Sequence, residues 1–264
     1  MKAFLRIVVC FGTVALLSAP FALAQKSTPP PSEPLSTMTP KDDYTRAKLR
    51  TELGAMYFQA GNAIAALEEL TLAVLTDPKY APAYSIRAVV LSELKEYESA
   101  EKDFQRALSL DDKDPEIANN YGWYLCQRGR TKESIPYYER AIRNPLYKTP
   151  EIAYMNAGEC YVKGGELDLG EEYVKKNLRF SPGNPRALFQ LANISYRRGN
   201  SDAAKKFLTE VVAKIDPNAE VLWLQIRVAR RLGDRADEAR YVAHLRGEFP
   251  ESQEYLELLK GNYE

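Results

Sequence analysis

From Ala47 onward the chain repeats at intervals of about 34 residues, and nothing else in it constrains the fold as tightly. The first period places Leu53-Gly54, Tyr57, Gly61, Ala66, Ala73 and Pro78 at offsets that later periods echo. The second, from Ala81, has Tyr84, Ala88, Ala100, Phe104 and Ala107; the third, from Pro115, has Tyr121-Gly122, Gly129, Tyr138 and Ala141. After a two-residue insertion, a fourth begins at Glu151 with Gly158, Tyr161, Gly165 and Pro182. A fifth begins at Pro185 with Leu191-Ala192, Gly199 and Ala204, and a divergent sixth, from about Glu220, keeps Trp223 and Ala239. Small residues beside large ones at fixed offsets let two helix backbones approach while the bulky neighbours fill the gap. Gly61, Gly129, Gly165 and Gly199 fall where a first helix must end and reverse, a place that favours a residue tolerant of positive φ.

These offsets are those of a tetratricopeptide repeat, a helix hairpin that buries its apolar faces only when neighbours stack. The expected fold is all-α: a right-handed α-solenoid of six tetratricopeptide repeats over residues 44–264, ending in a closing helix at Ser252–Leu259. Seventeen tyrosines against nine phenylalanines suit an array of small helix interfaces, where an aromatic body is covered and its polar tip stays wet.

The first residues follow another logic. Lys2 and Arg6 precede an apolar run from Ile7 to Leu17, then Pro20 and Ala22-Leu23-Ala24, the order of a secretory signal with its cleavage site. The run is shorter than the ~20 residues a membrane span needs. Residues 1–24 are therefore predicted to be a secretory signal peptide. Residues 25–43, with Pro29, Pro30, Pro31, Pro34 and Pro40, read as a semi-stiff proline-rich linker. The mature protein is expected to be exported.

Charge and composition exclude several functions. Lys+Arg and Asp+Glu both number 36, so there is no basic footprint for nucleic acid. His244 is the single histidine, and Glu68-Glu69 and Asp111-Asp112 read as solvated helix surface and turn. No nucleophile–base pair or metal-ligand set emerges. The reading is a non-enzymatic protein without catalytic residues, metal or cofactor, whose function lies in its surfaces.

Positions 2, 5, 9, 12 and 13 of each first helix are expected to face the inner groove of the solenoid. Thr51, Ala55 and Phe58 of the first repeat, and Ser85, Val89 and Ser92 of the second, would stand there. Asn119, Trp123 and Gln127, spaced i, i+4, i+8, share one face of the third repeat's first helix. Met155, Glu159 and Val162 follow in the fourth, and Phe189, Asn193, Tyr196 and Arg197 in the fifth. An aromatic and amide strip of this kind suits a peptide, whose main chain the amides bond and whose side chains the aromatics bury. The expected partner-binding residues are Phe58, Val89, Asn119, Trp123, Gln127, Met155, Glu159, Phe189, Asn193 and Tyr196. Trp123 is singled out because the repeat does not require it; as an anchor its truncation would cost ~2 kcal/mol or more.

Two further departures from a generic repeat adjoin this helix. Asn144-Pro145-Leu146-Tyr147-Lys148-Thr149-Pro150 puts prolines around an apolar pair, a rigid turn that either sets solenoid curvature or offers a loop to a partner. Cys126 and Cys160 stand at positions 12 and 10 of adjacent first helices. In an oxidising compartment they are expected to form a disulfide; two buried thiols are the alternative.

The words NNYGWYLCQRGRTKESIPYYERA, NPLYKTP and NAGEC, with LWLQIRVARRLGD (Leu222–Asp234) and Leu259-Lys260-Gly261, resemble the central and late repeats of the type IV pilus biogenesis and stability family, the PilF/PilW-type pilotins. The likeness spans roughly Tyr44 to Glu264. It implies a periplasmic protein at the inner face of the Gram-negative outer membrane. There it would bind the outer-membrane secretin of the type IV pilus and promote its localisation and multimerisation, with other pilus assembly proteins as further partners. A general periplasmic repeat scaffold for envelope assembly is the other function the repeats allow. Family members typically carry a lipid-bearing cysteine at the end of the signal, where this chain has Ala24-Gln25. Membrane association through a partner and through a lipid anchor both stay open.

Overall fold

The computed structural model describes residues 42–263; the segment predicted to be a signal peptide and all but the end of the predicted linker lie outside them. Among the described residues there are 13 helices and no strand. Five hairpins run α1 (Asp43–Gln59) with α2 (Ala63–Thr76), α3 (Ala81–Glu93) with α4 (Tyr97–Leu110), α5 (Pro115–Gln127) with α6 (Thr131–Arg143), α7 (Pro150–Lys163) with α8 (Leu167–Phe180), and α9 (Pro185–Arg197) with α10 (Ser201–Val212). A sixth joins α11 (Ala219–Leu232) to α12 (Arg235–Glu248), and α13 (Gln253–Lys260) follows. Polar side chains start many of these helices. Asp42, Asn62, Asp114, Asn184, Asn200, Asn218, Asp234 and Ser252 each accept a backbone N–H of the first turn. Pro115, Pro150 and Pro185 sit in first turns, where a missing N–H costs nothing.

Each hairpin packs on the next, and successive first helices also touch one another. The second helices are splayed apart, so the first helices line the inner side of an α-solenoid. The core repeats with the sequence. Leu70, Phe104, Tyr138, Val174 and Leu208 recur as large, buried side chains of the second helices. They lie over the small residues Gly54, Ala88, Gly122, Gly158 and Ala192 of the first. A Cβ on Gly54 would come within 2.6 Å of Leu70 Cγ, and one on Gly122 within 3.0 Å of the Tyr138 ring.

The first helices reverse at a left-handed residue: Gly61, Gly129, Gly165, Gly199 and Gly233 all have φ between 72° and 89°. The second repeat places Lys95 there, at φ 65°. A side chain in this conformation costs roughly 1–2 kcal/mol, and glycine's freer unfolded chain offsets ~0.4–1 kcal/mol of any relief. Lys95→Gly is therefore expected to stabilise the fold by about 0.5–1 kcal/mol, read as a raised urea midpoint at unchanged m-value.

Two sequence expectations need adjustment. The sixth repeat is in register from Ala219, with Gly233 at its turn and Leu245 in its core; Ala239 is solvent-exposed rather than a core position. The apolar pair of the insertion divides. Leu146 is exposed, whereas Tyr147 is buried among Ala118, Ala141 and Ala153, and Asn144 Nδ2 donates to the Lys113 carbonyl at 2.9 Å. The segment is a packed wedge between the third and fourth repeats.

Candidate partner groove

Burial along the first helices sorts the inner positions by depth. Position 5 is closed in every repeat: Thr51, Ser85, Asn119, Met155, Phe189 and Trp223 are all buried. Position 9 is half-exposed throughout, at Ala55, Val89, Trp123, Glu159, Asn193 and Arg227. Position 13 is exposed throughout, at Gln59, Glu93, Gln127, Lys163, Arg197 and Arg231. Adjacent first helices lie close enough to pinch position 5 between them in the first five repeats, and Trp223 of the sixth is covered instead by α13 and Tyr263, while position 9 stands at the crest facing the groove. The open surface therefore comes from positions 9 and 13.

This corrects four of the expected binding residues. Met155, 2% exposed, packs with Val162, Val174, Ala187, Leu191 and Ile194. Phe189, 8% exposed, packs with Leu188, Ala192 and Tyr196 in the next cluster. Tyr196 is buried there too, and Arg231 lies over its ring at 3.9 Å. Asn119 is buried with its amide oxygen taken by Asn156 Nδ2 at 3.0 Å. These four cannot be offered to a partner without opening the repeats.

Asn119 belongs instead to a polar ladder that the sequence reading missed. Asn120 Nδ2 donates to Ser85 Oγ at 3.2 Å, Asn156 Nδ2 to Asn119 Oδ1, and Arg186 reaches Asn156 Oδ1 at 3.4 Å. Arg186 also holds the Glu159 carboxylate by two hydrogen bonds. Buried amides of neighbouring repeats thus satisfy one another, which fixes the register of the stack. Asn120 and Asn156 at equivalent helix positions were the available signal.

Of the remaining expected residues, Phe58 packs partly beneath Leu70 and Val90, and Val89 lies half-buried against the Phe104 cluster. Asn193 is half-exposed on the crest. Trp123 is half-buried between two core clusters, one that includes Leu91, Phe104 and Tyr121 and one of Cys126, Tyr138, Ala157 and Cys160. Its free side borders an open hollow of about 330 Å³ lined also by Ser92, Glu93, Lys95, Tyr97, Gln127 and Arg128. Gln127 stands at the rim and accepts from Lys163 Nζ at 3.0 Å. Trp123 is thus rigidly seated yet reachable, the condition for an interface anchor.

Directly beneath Trp123, Cys126 and Cys160 are joined as a disulfide, with Cα atoms 5.8 Å apart and a sequence separation of 34. It ties the C-terminal half of α5 to α7, with Ser134 Oγ 3.1 Å from the Cys160 sulfur. Among the described residues no group of three His, Cys, Asp or Glu side chains could hold a metal, and no helix is long and apolar enough to cross a membrane.

Comparison with known proteins agrees with this architecture. Tetratricopeptide-repeat profiles match residues 81–114, 122–185 and 186–219. The type IV pilus assembly protein PilF of Pseudomonas aeruginosa is 29% identical over 224 residues, covering 85% of this chain and 88% of its own. The crystal structure of PilW, a widely conserved type IV pilus biogenesis factor, is 32% identical. It covers 81% of this chain and 98% of its own at a TM-score of 0.73. The structure of Pseudomonas aeruginosa PilF covers 83% and 99% at 27% identity and a TM-score of 0.69. A likeness of this extent reaches past the general repeat to the whole array, and the chain belongs to the PilF/PilW family of tetratricopeptide-repeat type IV pilus biogenesis proteins.

Proposed function

We propose that this chain is a non-enzymatic assembly factor of the type IV pilus. It binds the outer-membrane secretin through the inner face of its repeats and promotes that protein's localisation and multimerisation. It works in the periplasm at the inner face of the outer membrane, held there by its partner or by a lipid anchor. The observation that carries the reading is the crest of position-9 and position-13 residues around Trp123. It is the part of the inner face left open once position 5 has been used for packing, in a chain whose relatives are type IV pilus biogenesis proteins. Trp123, Gln127, Val89, Asn193 and Glu159 are the contact residues we assign from the expected set, with Phe58 at the groove's start.

Deleting the gene tests it. Secretin multimers, read as heat-resistant bands from isolated envelopes, are expected to be lost and to return with the intact chain. A Trp123→Ala chain is expected to bind the secretin about thirtyfold more weakly, the equivalent of ~2 kcal/mol at an anchor residue. Intact multimers in the deletion strain would overturn the reading. Recovery of cell-wall enzymes in place of the secretin would favour a general envelope scaffold.

A further inference from the structure

The inner face changes character along the stack. At positions 9 and 13 the first three repeats carry Ala55, Val89, Trp123, Gln59, Glu93 and Gln127. The last two carry Asn193, Arg197, Arg227 and Arg231. Several of these cations lack an acidic partner among the described residues. Arg197 donates to the Val162 carbonyl and Arg231 to the Tyr196 carbonyl. Arg227 Nε is buried with no hydrogen-bond partner, and the guanidinium lies 5.0 Å from the Tyr196 ring and 5.5 Å from the Trp223 ring. Burial pulls Arg227 below the ordinary arginine value, and the like charge of Arg231 adds to that.

This aromatic and cationic cleft already holds a side chain. α13 packs back onto α11, and the residues after it carry Tyr263 into the cleft. The Tyr263 ring stacks on Trp223 at a centroid distance of 5.5 Å and an interplanar angle of 30°. Arg230 lies over the same ring at 3.8 Å, and the Tyr196 hydroxyl approaches the Tyr263 carbonyl at 3.5 Å. The seat is a flat slot between an indole and a guanidinium, which suits an aromatic ring. Of the cations around it, Arg230 pairs with Glu238 at 3.1 Å, while Arg227 and Arg231 make no salt bridge among the described residues.

We propose that the cleft of Trp223, Arg227, Arg230 and Arg231 is a second binding site, for an aromatic side chain within an acidic peptide segment, and that Tyr263 occupies it in cis until such a segment displaces it. The proposal rests on the reading of the inner face as a partner surface, but the site lies in the last repeat, three repeats beyond the Trp123 hollow, and needs no secretin for its test. Occupation in cis makes the open state a minor fraction, and the apparent affinity for a peptide falls by that fraction.

The test is fluorescence anisotropy at low salt with short labelled peptides, blocked at both ends. One has aspartate, glutamate and a central tyrosine; a second replaces the acids by their amides; a third replaces tyrosine by alanine. The Tyr263→Ala chain is expected to bind the first peptide about tenfold more tightly than the unmodified chain, and each altered peptide more weakly by a similar factor. Tyr263→Phe keeps the ring and is expected to stay closed, which separates displacement of the side chain from loss of folding. Arg227→Gln with Arg231→Gln, in the Tyr263→Ala chain, is expected to abolish the preference for the acidic peptide. Equal affinity of the unmodified and Tyr263→Ala chains would overturn the proposal. So would equal binding of the acidic and amide peptides, or displacement of the peptide by phosphatidylglycerol vesicles but not by excess unlabelled peptide. None of these outcomes bears on whether the secretin binds at Trp123, which secretin binding by the Trp123→Ala chain decides separately.

Discussion

Replacing Cys126 and Cys160 together by alanine is expected to cost about 3–4 kcal/mol of folding free energy, the loop-closure value for a cross-link across a separation of 34 residues. For a chain of this size that is a fall in the thermal midpoint of about 7–14 °C. Both sulfurs are buried, so a reductant added to the native protein must wait for local opening, and the alanine pair gives the cleaner comparison. The effect should be local as well as large. In a stacked array each repeat is held by its own packing and by its neighbours. The bond spans the junction where the Asn144–Pro150 segment interrupts regular stacking. Without it, protection against hydrogen exchange is expected to fall first in α6 and α7 and the loop between them. A midpoint unchanged within error would mean that the bond adds nothing the packing does not already supply.

Gly158→Val is the second large effect, expected at about 3 kcal/mol or slightly above, the upper end for forced overpacking. A Cβ at Gly158 would meet Val174 Cγ2 at 2.8 Å, the Val174 backbone nitrogen at 3.1 Å and the Gly170 carbonyl at 3.2 Å. Gly170 in turn would place a Cβ 2.6 Å from Val162 Cγ2 and 3.1 Å from the Gly158 carbonyl. The two helices of the fourth repeat cross backbone to backbone, and backbone atoms cannot swing aside as a side-chain tip can. Gly158→Ala is the informative companion. It regains roughly 1 kcal/mol of helix propensity against a smaller clash, so its net cost should stay near 1 kcal/mol. Equilibrium unfolding in urea separates the two. Equal effects would show that the crossing yields more readily than these distances imply.

Much of this was legible in the sequence because the repeat ties side-chain size to position. Phe104 and Tyr138 recur one period apart, as do Ala107 and Ala141, and such pairs settle hairpin, stack and core together. Depth within the groove was less legible. Position 5 and position 9 lie on the same helical face, so spacing alone assigns Asn119 and Trp123 alike to the surface. Only the distance between neighbouring first helices shows that Asn119 is closed over and bonded to Asn156 while Trp123 keeps an open side. The same pinching took Met155 and Phe189 into the core, and Tyr196, at position 12, packs there with Val228 under Arg231. The frame of the sixth repeat slipped by one residue because its small-residue positions are filled by Ile226 and Glu238. The cleft at Trp223 was invisible for a different reason: it depends on α13 folding back, a contact with no periodic signature.

The central claim is that the inner crest around Trp123 meets the secretin. A photo-reactive amino acid placed at 123 in the intact chain, irradiated in the pilus-bearing cell, measures it directly. An otherwise identical chain with the probe at Arg143, an exposed residue at the end of an outer helix, serves as the reference. A secretin adduct is expected from position 123 and none from 143. No secretin adduct from 123, or equal yields from the two positions, would contradict it.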